Sequence, residues 1–133
     1  MRIVITRWGL ASYVRLSASG VVTDSIYWSM IRPDIERLRH LGSDEKFLEA
    51  SFWGPARDLG NKPIADGYKM KWRNFGGRNI QMRLCVGLVA GDAFLCHAYQ
   101  KTSPSQDRRE SAKLKDRIQL IRENRHREEG LIS

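Results

Sequence analysis

From Tyr68 to Arg73 apolar and basic residues alternate strictly. Tyr68, Met70 and Trp72 fall on one face of a strand, and Lys69, Lys71 and Arg73 fall on the other. Ile80–Val86 alternates again, with Ile80, Met82, Leu84 and Val86 to one side and Gln81 and Arg83 to the other. Asn74–Asn79, containing Gly76-Gly77, reads as the turn between these strands. Gly91-Asp92 marks the next turn, and Ala93–Tyr99 reads as a third strand, giving an antiparallel meander. Upstream the period changes. Leu10, Tyr13 and Val14 recur at helical spacing, and Ser19-Gly20 ends that helix. Thr23 or Asp24 caps a second helix whose apolar face is Ile26, Tyr27, Met30 and Ile31. Pro33, Asp34 and Glu36 open a short helix reaching about His40. Arg2–Thr6 reads as an edge or first strand. Gly42, Gly54-Pro55, Gly60-Asn61 and Pro63 make Leu41–Gly67 a loop-rich segment pinned by Phe47, Phe52 and Trp53. Ser103-Pro104-Ser105-Gln106 has the capping-box form, and Leu114, Ile118 and Ile121 line one face of the helix that follows. The pattern predicts an α+β domain: N-terminal helices packed on a small antiparallel sheet, a C-terminal helix, and residues 123–133 as a frayed tail.

Parity sharpens the prediction. The apolar sets of the first two strands of the meander both carry even numbers. A pairing that puts them on one side therefore gathers Lys69, Lys71, Arg73, Gln81 and Arg83 on the other, and a one-residue slip would bury the cations. The expected result is a basic shelf on an exposed sheet face, with Lys71 and Arg83 solvated above Met70, Trp72, Met82 and Leu84. Like charges placed across a sheet repel, so the shelf stabilises the fold only if an anion sits on it. The bland alternative is a solvated face that happens to be basic.

Charge distribution points the same way. The 133 residues carry 23 Lys+Arg against 15 Asp+Glu, a net charge of +8 that favours a polyanionic partner. Residues 34–66 are net negative, whereas Gly67 to Arg83 holds five cations and no anion. No apolar run approaches the about 20 residues of a membrane span. Arg7 interrupts the N-terminus too early for a secretory apolar core, so a cytoplasmic location with reduced Cys85 and Cys96 is expected. Cys85 and Cys96 do not allow a Cys₄ or Cys₂His₂ zinc site of the usual spacing, no paired His/Asp/Glu motif appears, and no glycine-rich phosphate loop joins a strand to a helix. No metal or other cofactor is expected.

A lysine–arginine shelf suffices for one reaction without metal. RNA carries its own nucleophile, the 2′-hydroxyl. Cleavage needs a proton acceptor, cations for the charged phosphorane and an acid for the 5′-oxygen. Clustered cations lower a lysine's pKa, so a lysine can act as base, and arginine binds phosphate bidentately. His97 and Tyr99 share a strand face and are candidates for proton transfer. As ordinary residues they would be a satisfied buried histidine and a core-edge aromatic. Lys101, just beyond, could contact substrate or simply be solvated.

The run Tyr68-Lys69-Met70-Lys71-Trp72-Arg73, a glycine turn, a strand bearing Arg83, then Ala98-Tyr99-Gln100-Lys101 and a proline-started basic helix resembles the RelE/HigB-type toxins of bacterial toxin–antitoxin pairs, especially the phage-associated HigB-like branch. The resemblance spans about residues 64–122 of the single domain 1–133. It implies a RelE-like microbial ribonuclease fold, metal-independent endoribonuclease cleavage of mRNA, often on the ribosome, and neutralisation by a cognate antitoxin. With the reading above, it makes Lys69, Lys71, Arg83, His97 and Tyr99 catalytic candidates, and Arg73, Arg78, Gln81 and Lys101 substrate-binding ones. The strand carrying Arg83 lacks the aromatic pair many relatives have, and Lys101 stands alone where two lysines are frequent. Two other readings compete: a non-catalytic nucleic-acid-binding or regulatory module on the same scaffold, and a structural protein whose basic face meets an acidic partner.

Overall fold

The computed structural model describes residues 1–133 apart from the surroundings of Gly76, so that part of the expected glycine turn lies outside the described residues. The chain runs through β1 (Ile3–Thr6), α1 (Arg7–Ala18), α2 (Asp24–Ile26), a π turn (Tyr27–Ile31), α3 (Arg32–Glu36), a 3₁₀ turn (Arg37–His40) and a second 3₁₀ turn (Glu45–Leu48). There follow β2 (Trp53–Arg57), β3 (Pro63–Trp72), β4 (Gln81–Val89), β5 (Asp92–Lys101), α4 (Pro104–Arg122) and β6 (Glu128–Leu131). The fold is α+β. Its sheet has six strands in the order β2-β3-β4-β5-β1-β6. β1 runs parallel to β5, and the other pairings are antiparallel.

The sheet is therefore larger than the small antiparallel one expected, for two local reasons. β2 hides behind Gly54-Pro55. It is an edge strand, where a proline's missing N–H costs no ladder bond, and Pro55 sits opposite Tyr68 in the ladder. β6 consists of Glu128, Glu129, Gly130 and Leu131, all exposed, a composition that marks an edge rather than a core strand. The tail is held by buried Ile132, whose N–H donates to the Ile3 carbonyl. Residues 128–132 thus form ordered structure where fraying was expected.

The N-terminal helices follow the capping signals. Thr6 caps α1 by accepting from the Gly9 N–H, and Thr23 caps α2 by accepting from the Ile26 N–H. The segment expected as two helices is one run with a π turn in its middle. The Arg32 N–H reaches back to the Tyr27 carbonyl, and this wider turn precedes Pro33, which supplies no N–H to an α-helical ladder.

Both faces of the sheet are covered. Met70, Trp72, Met82, Leu84 and Val86 pack against Ile31, Ile35 and Leu38, as the alternation predicts. On the opposite face, Cys85, Phe94, Cys96 and Tyr99 pack under Leu114, Ile118 and Ile121 of α4. This helix can lie close because Gly67 and Gly87 are direct cross-strand partners beneath it. A Cβ on Gly67 would stand 3.0 Å from Leu114 Cδ2, and one on Gly87 3.1 Å from Ile118 Cγ1. α4 is the chain's longest helix and starts at the expected cap. The Ser103 hydroxyl accepts from the Gln106 N–H, while the Gln106 side-chain oxygen accepts from the Thr102 N–H, one residue earlier than in the standard box.

Among the described residues no helix is long and apolar enough to cross a membrane.

Candidate functional site

The β3–β4 register places Lys71 directly opposite Arg83, and the β4–β5 register places Arg83 opposite Tyr99. One row of the sheet therefore reads Lys71–Arg83–Tyr99. The next row reads Lys69–Cys85–His97, and Gln81 pairs with Lys101 at the strand ends. A bulge fixes what the alternation left open in β5. Cys85 faces His97 but Val86 faces Leu95, so Cys96 is the extra residue. The parity argument holds, and His97 and Tyr99 lie on the face that carries Lys69 and Arg83.

The face is not the open shelf expected. The first turns of α4 fold over it and bring Asp107 into the cluster. Asp107 accepts a 2.6 Å hydrogen bond from the Tyr99 hydroxyl and pairs with Lys69 Nζ at 3.4 Å. Only 13% of the Lys69 side chain is exposed. Arg83 is 3% exposed rather than solvated. Its guanidinium donates to the Trp72 and Met82 carbonyls at 3.4 and 3.1 Å and to Gln81 Oε1 at 2.9 Å. It has no carboxylate partner among the described residues, so the cation is hydrogen-bonded yet not neutralised. Lys71 is half-buried and donates to the Ala50 carbonyl at 3.0 Å. Arg73 lies past the end of β3 and is exposed. Arg78 points elsewhere: it donates to the Gly20 and Val21 carbonyls and ties the β3–β4 turn to the loop after α1.

The electrostatics follow from this packing. Burial, then Lys69, Arg83 and Arg73, lower the Lys71 pKa. Burial also lowers that of Arg83, against the opposing pull of Asp107. For Asp107, burial acts upward, but the Tyr99 hydrogen bond and the Lys69 and Lys101 charges outweigh it and hold the carboxyl below its ordinary range. Tyr99 is pushed strongly upward, first by burial, so its hydroxyl remains a donor bound to Asp107. Burial pushes the Cys96 thiol up to about 12 and Cys85 further, which leaves both unreactive.

His97 is 3% exposed under α4, with Nε2 2.8 Å from the Glu110 carbonyl and Nδ1 buried without a partner. Burial, then Arg117, lower its pKa from 6.5 to about 4. The neutral ring with hydrogen on Nε2 satisfies this arrangement. Between pH 6.5 and 4 the unfolded chain takes up a proton that the folded chain excludes. This contribution to stability is complete above about pH 6.5 and is lost as pH falls through the window, up to about 3 kcal/mol. Wild type should thus lose more stability between pH 7 and 4 than His97→Gln does. Urea midpoints that fall in parallel for both would contradict it.

Sequence reasoning missed Asp107 and the Ala50 carbonyl. Asp107 carried one local signal, an acidic residue in the first turn of a capped helix. Its contact with Lys69, 38 residues away, has no counterpart in any local pattern. Among the described residues no group of three or more His, Cys, Asp or Glu side chains could hold a metal ion. The arrangement puts Lys71 beside buried Arg83 with exposed Arg73 past the strand end, and it offers a lysine whose ammonium is destabilised. No protein-family model matches this chain, and no curated protein or solved structure matches it.

Proposed function

We propose that the protein is a metal-independent endoribonuclease toxin of the RelE/HigB type, cleaving mRNA on or off the ribosome in the cytoplasm and neutralised by a cognate antitoxin. The observation that carries this reading is the direct cross-strand pairing of Lys71 with Arg83, two cations that repel and have no carboxylate of their own among the described residues. Such a pair destabilises a sheet unless an anion joins it. In the reaction, neutral Lys71 takes the proton of the ribose 2′-hydroxyl. The 2′-oxygen attacks phosphorus, exposed Arg73 holds the phosphorane oxygens with the charge of buried Arg83 behind them, and the P–O5′ bond breaks. Lys69, an ammonium on the same face, returns a proton to the 5′-oxygen. The products are a 2′,3′-cyclic phosphate and a 5′-hydroxyl. The test is incubation of the purified chain with free mRNA in excess EDTA and, separately, with mRNA on ribosomes in magnesium buffer, followed by end-group analysis. Cyclic or 3′-phosphate ends support the reading, and intact RNA under both conditions overturns it.

The second reading, a non-catalytic nucleic-acid-binding module on this scaffold, draws on one observation. Both candidates for proton transfer on β5 are covered: the Tyr99 hydroxyl is committed to Asp107, and His97 lies beneath α4. Salt-sensitive RNA binding without cleavage is its signature.

A further inference from the structure

A second basic concavity lies on the other flank of α4. It is a polar gap of about 190 Å³ between α1 and α4, floored by β5. α1 contributes Ser12 and Arg15, α4 contributes Glu110, Lys113 and Arg117, and His97 and Tyr99 lie in the floor. The charges do not balance. Glu110 is paired with Lys113 at 3.0 Å. Arg15 and Arg117 have no carboxylate partner among the described residues, and Arg117 instead lies over the Trp8 ring, 5.3 Å from its centroid. Arg117 is also partly buried, so its charge is held in a site that water only partly solvates. Two guanidiniums facing one polar gap repel each other, and their planar forks match the oxygens of a phosphate.

We propose that this gap between α1 and α4 is a phosphate-binding site in which Arg15 and Arg117 take the oxygens, with Lys113 at the rim. The phosphate is either a backbone group of RNA or a free phosphate or mononucleotide. In the first case the inference rests on the ribonuclease reading and extends it. Tyr99 lines the gap and also closes the Lys71–Arg83 row, and Gln106 of the gap precedes Asp107 of the cluster. The gap would then hold a phosphate at some distance from the scissile one.

The experiment has two arms that do not depend on cleavage. In the first, inorganic phosphate is titrated against the thermal midpoint of the full chain at constant ionic strength, for wild type, Arg15→Ala and Arg117→Lys. In the second, the affinity for a single-stranded oligonucleotide with 2′-O-methyl sugars, which cannot be cleaved, is measured against salt. Each phosphate contact contributes about 0.7 to the slope of log affinity against log salt. Arg15→Ala should lower that slope by about 0.7 and weaken binding alike for all sequences. Lys115→Ala, on an exposed position of α4 outside the gap, reports the effect of net charge alone. A phosphate-dependent rise in midpoint that both gap variants lose identifies the free ligand. A slope change in Arg15→Ala but not in Lys115→Ala identifies the RNA backbone. If phosphate raises no midpoint, and Arg15→Ala leaves the slope unchanged or changes it no more than Lys115→Ala does, the site is refuted. That outcome leaves cleavage in the EDTA assay untouched, so the two proposals fail separately.

Discussion

Lys71→Ala is expected to slow RNA cleavage about 10²–10³-fold while the protein stays folded. The factor lies within the range of about 10²–10⁴ that a positioned general base contributes. Lys71 suits the test because among the described residues its ammonium hydrogen-bonds only the Ala50 carbonyl and the side chain is half-buried. Arg83 is the less clean probe. It is buried and bonded to two carbonyls and Gln81, so Arg83→Ala removes structure as well as charge. Two further variants separate base from electrostatic roles. Lys71→Arg keeps the cation but cannot deprotonate near neutral pH, so it should bind RNA and cleave it poorly. In wild type the rate should rise with pH and level off below the ordinary lysine range near about 10.4, because burial and three neighbouring cations lower the Lys71 pKa. Lys69→Gln removes both the first of those cations and the proposed acid, so the cleavage that remains should be slower and its rising limb should lie at higher pH. A Lys71→Ala protein that cleaves within threefold of wild type would place the chemistry elsewhere.

The part of this site legible in the sequence is the part set by period-two alternation. Parity alone put Lys69, Lys71 and Arg83 on one face, because a strand offers only two faces and Met70, Trp72, Met82 and Leu84 claim one of them. What parity cannot report is what lies above a face. α4 announces itself through Ser103, Pro104 and the spacing of Leu114, Ile118 and Ile121, yet nothing local says that it crosses the basic face. The clue was a weak one, the glycines Gly67 and Gly87 at matched positions on adjacent strands, which only the register turns into a seat for the helix. The same holds for Tyr99 and His97. Their common face was readable, but one extra residue, Cys96, decides which face it is. Edge strands were the other blind spot. Pro55 in β2 and Glu128-Glu129 in β6 are residues that edges tolerate and patterns score as loop.

The second large effect is on stability and lies behind the site. Asp34→Ala should cost about 3 kcal/mol in urea unfolding followed by tryptophan fluorescence. Asp34, 7% exposed, joins α3 to β3: its Oδ2 accepts from Trp72 Nε1 at 2.9 Å. Its Oδ1 accepts from Lys46 Nζ at 2.9 Å and Arg37 Nε at 3.1 Å. Removing the carboxylate leaves the buried indole N–H without an acceptor and two cations without their shared anion. Breaking a buried pair from one side typically costs about 3–5 kcal/mol. The lower end applies because Arg37 is 40% and Lys46 32% exposed, and Arg37 retains Asp44 at 2.8 Å. Asp34→Asn keeps an oxygen for Trp72 and loses only the charge, so it should cost about half as much. The order Ala worse than Asn is the discriminating result, and equal losses would remove the indole bond from the account. The consequence reaches the opposite face through the backbone. Trp72 follows Lys71, and its carbonyl accepts from Arg83. An indole released from Asp34 loosens the strand end that sets the spacing of Lys71 and Arg83. Asp34→Ala should therefore also lower cleavage at temperatures where the protein is still folded, and Asp34→Asn should do so less.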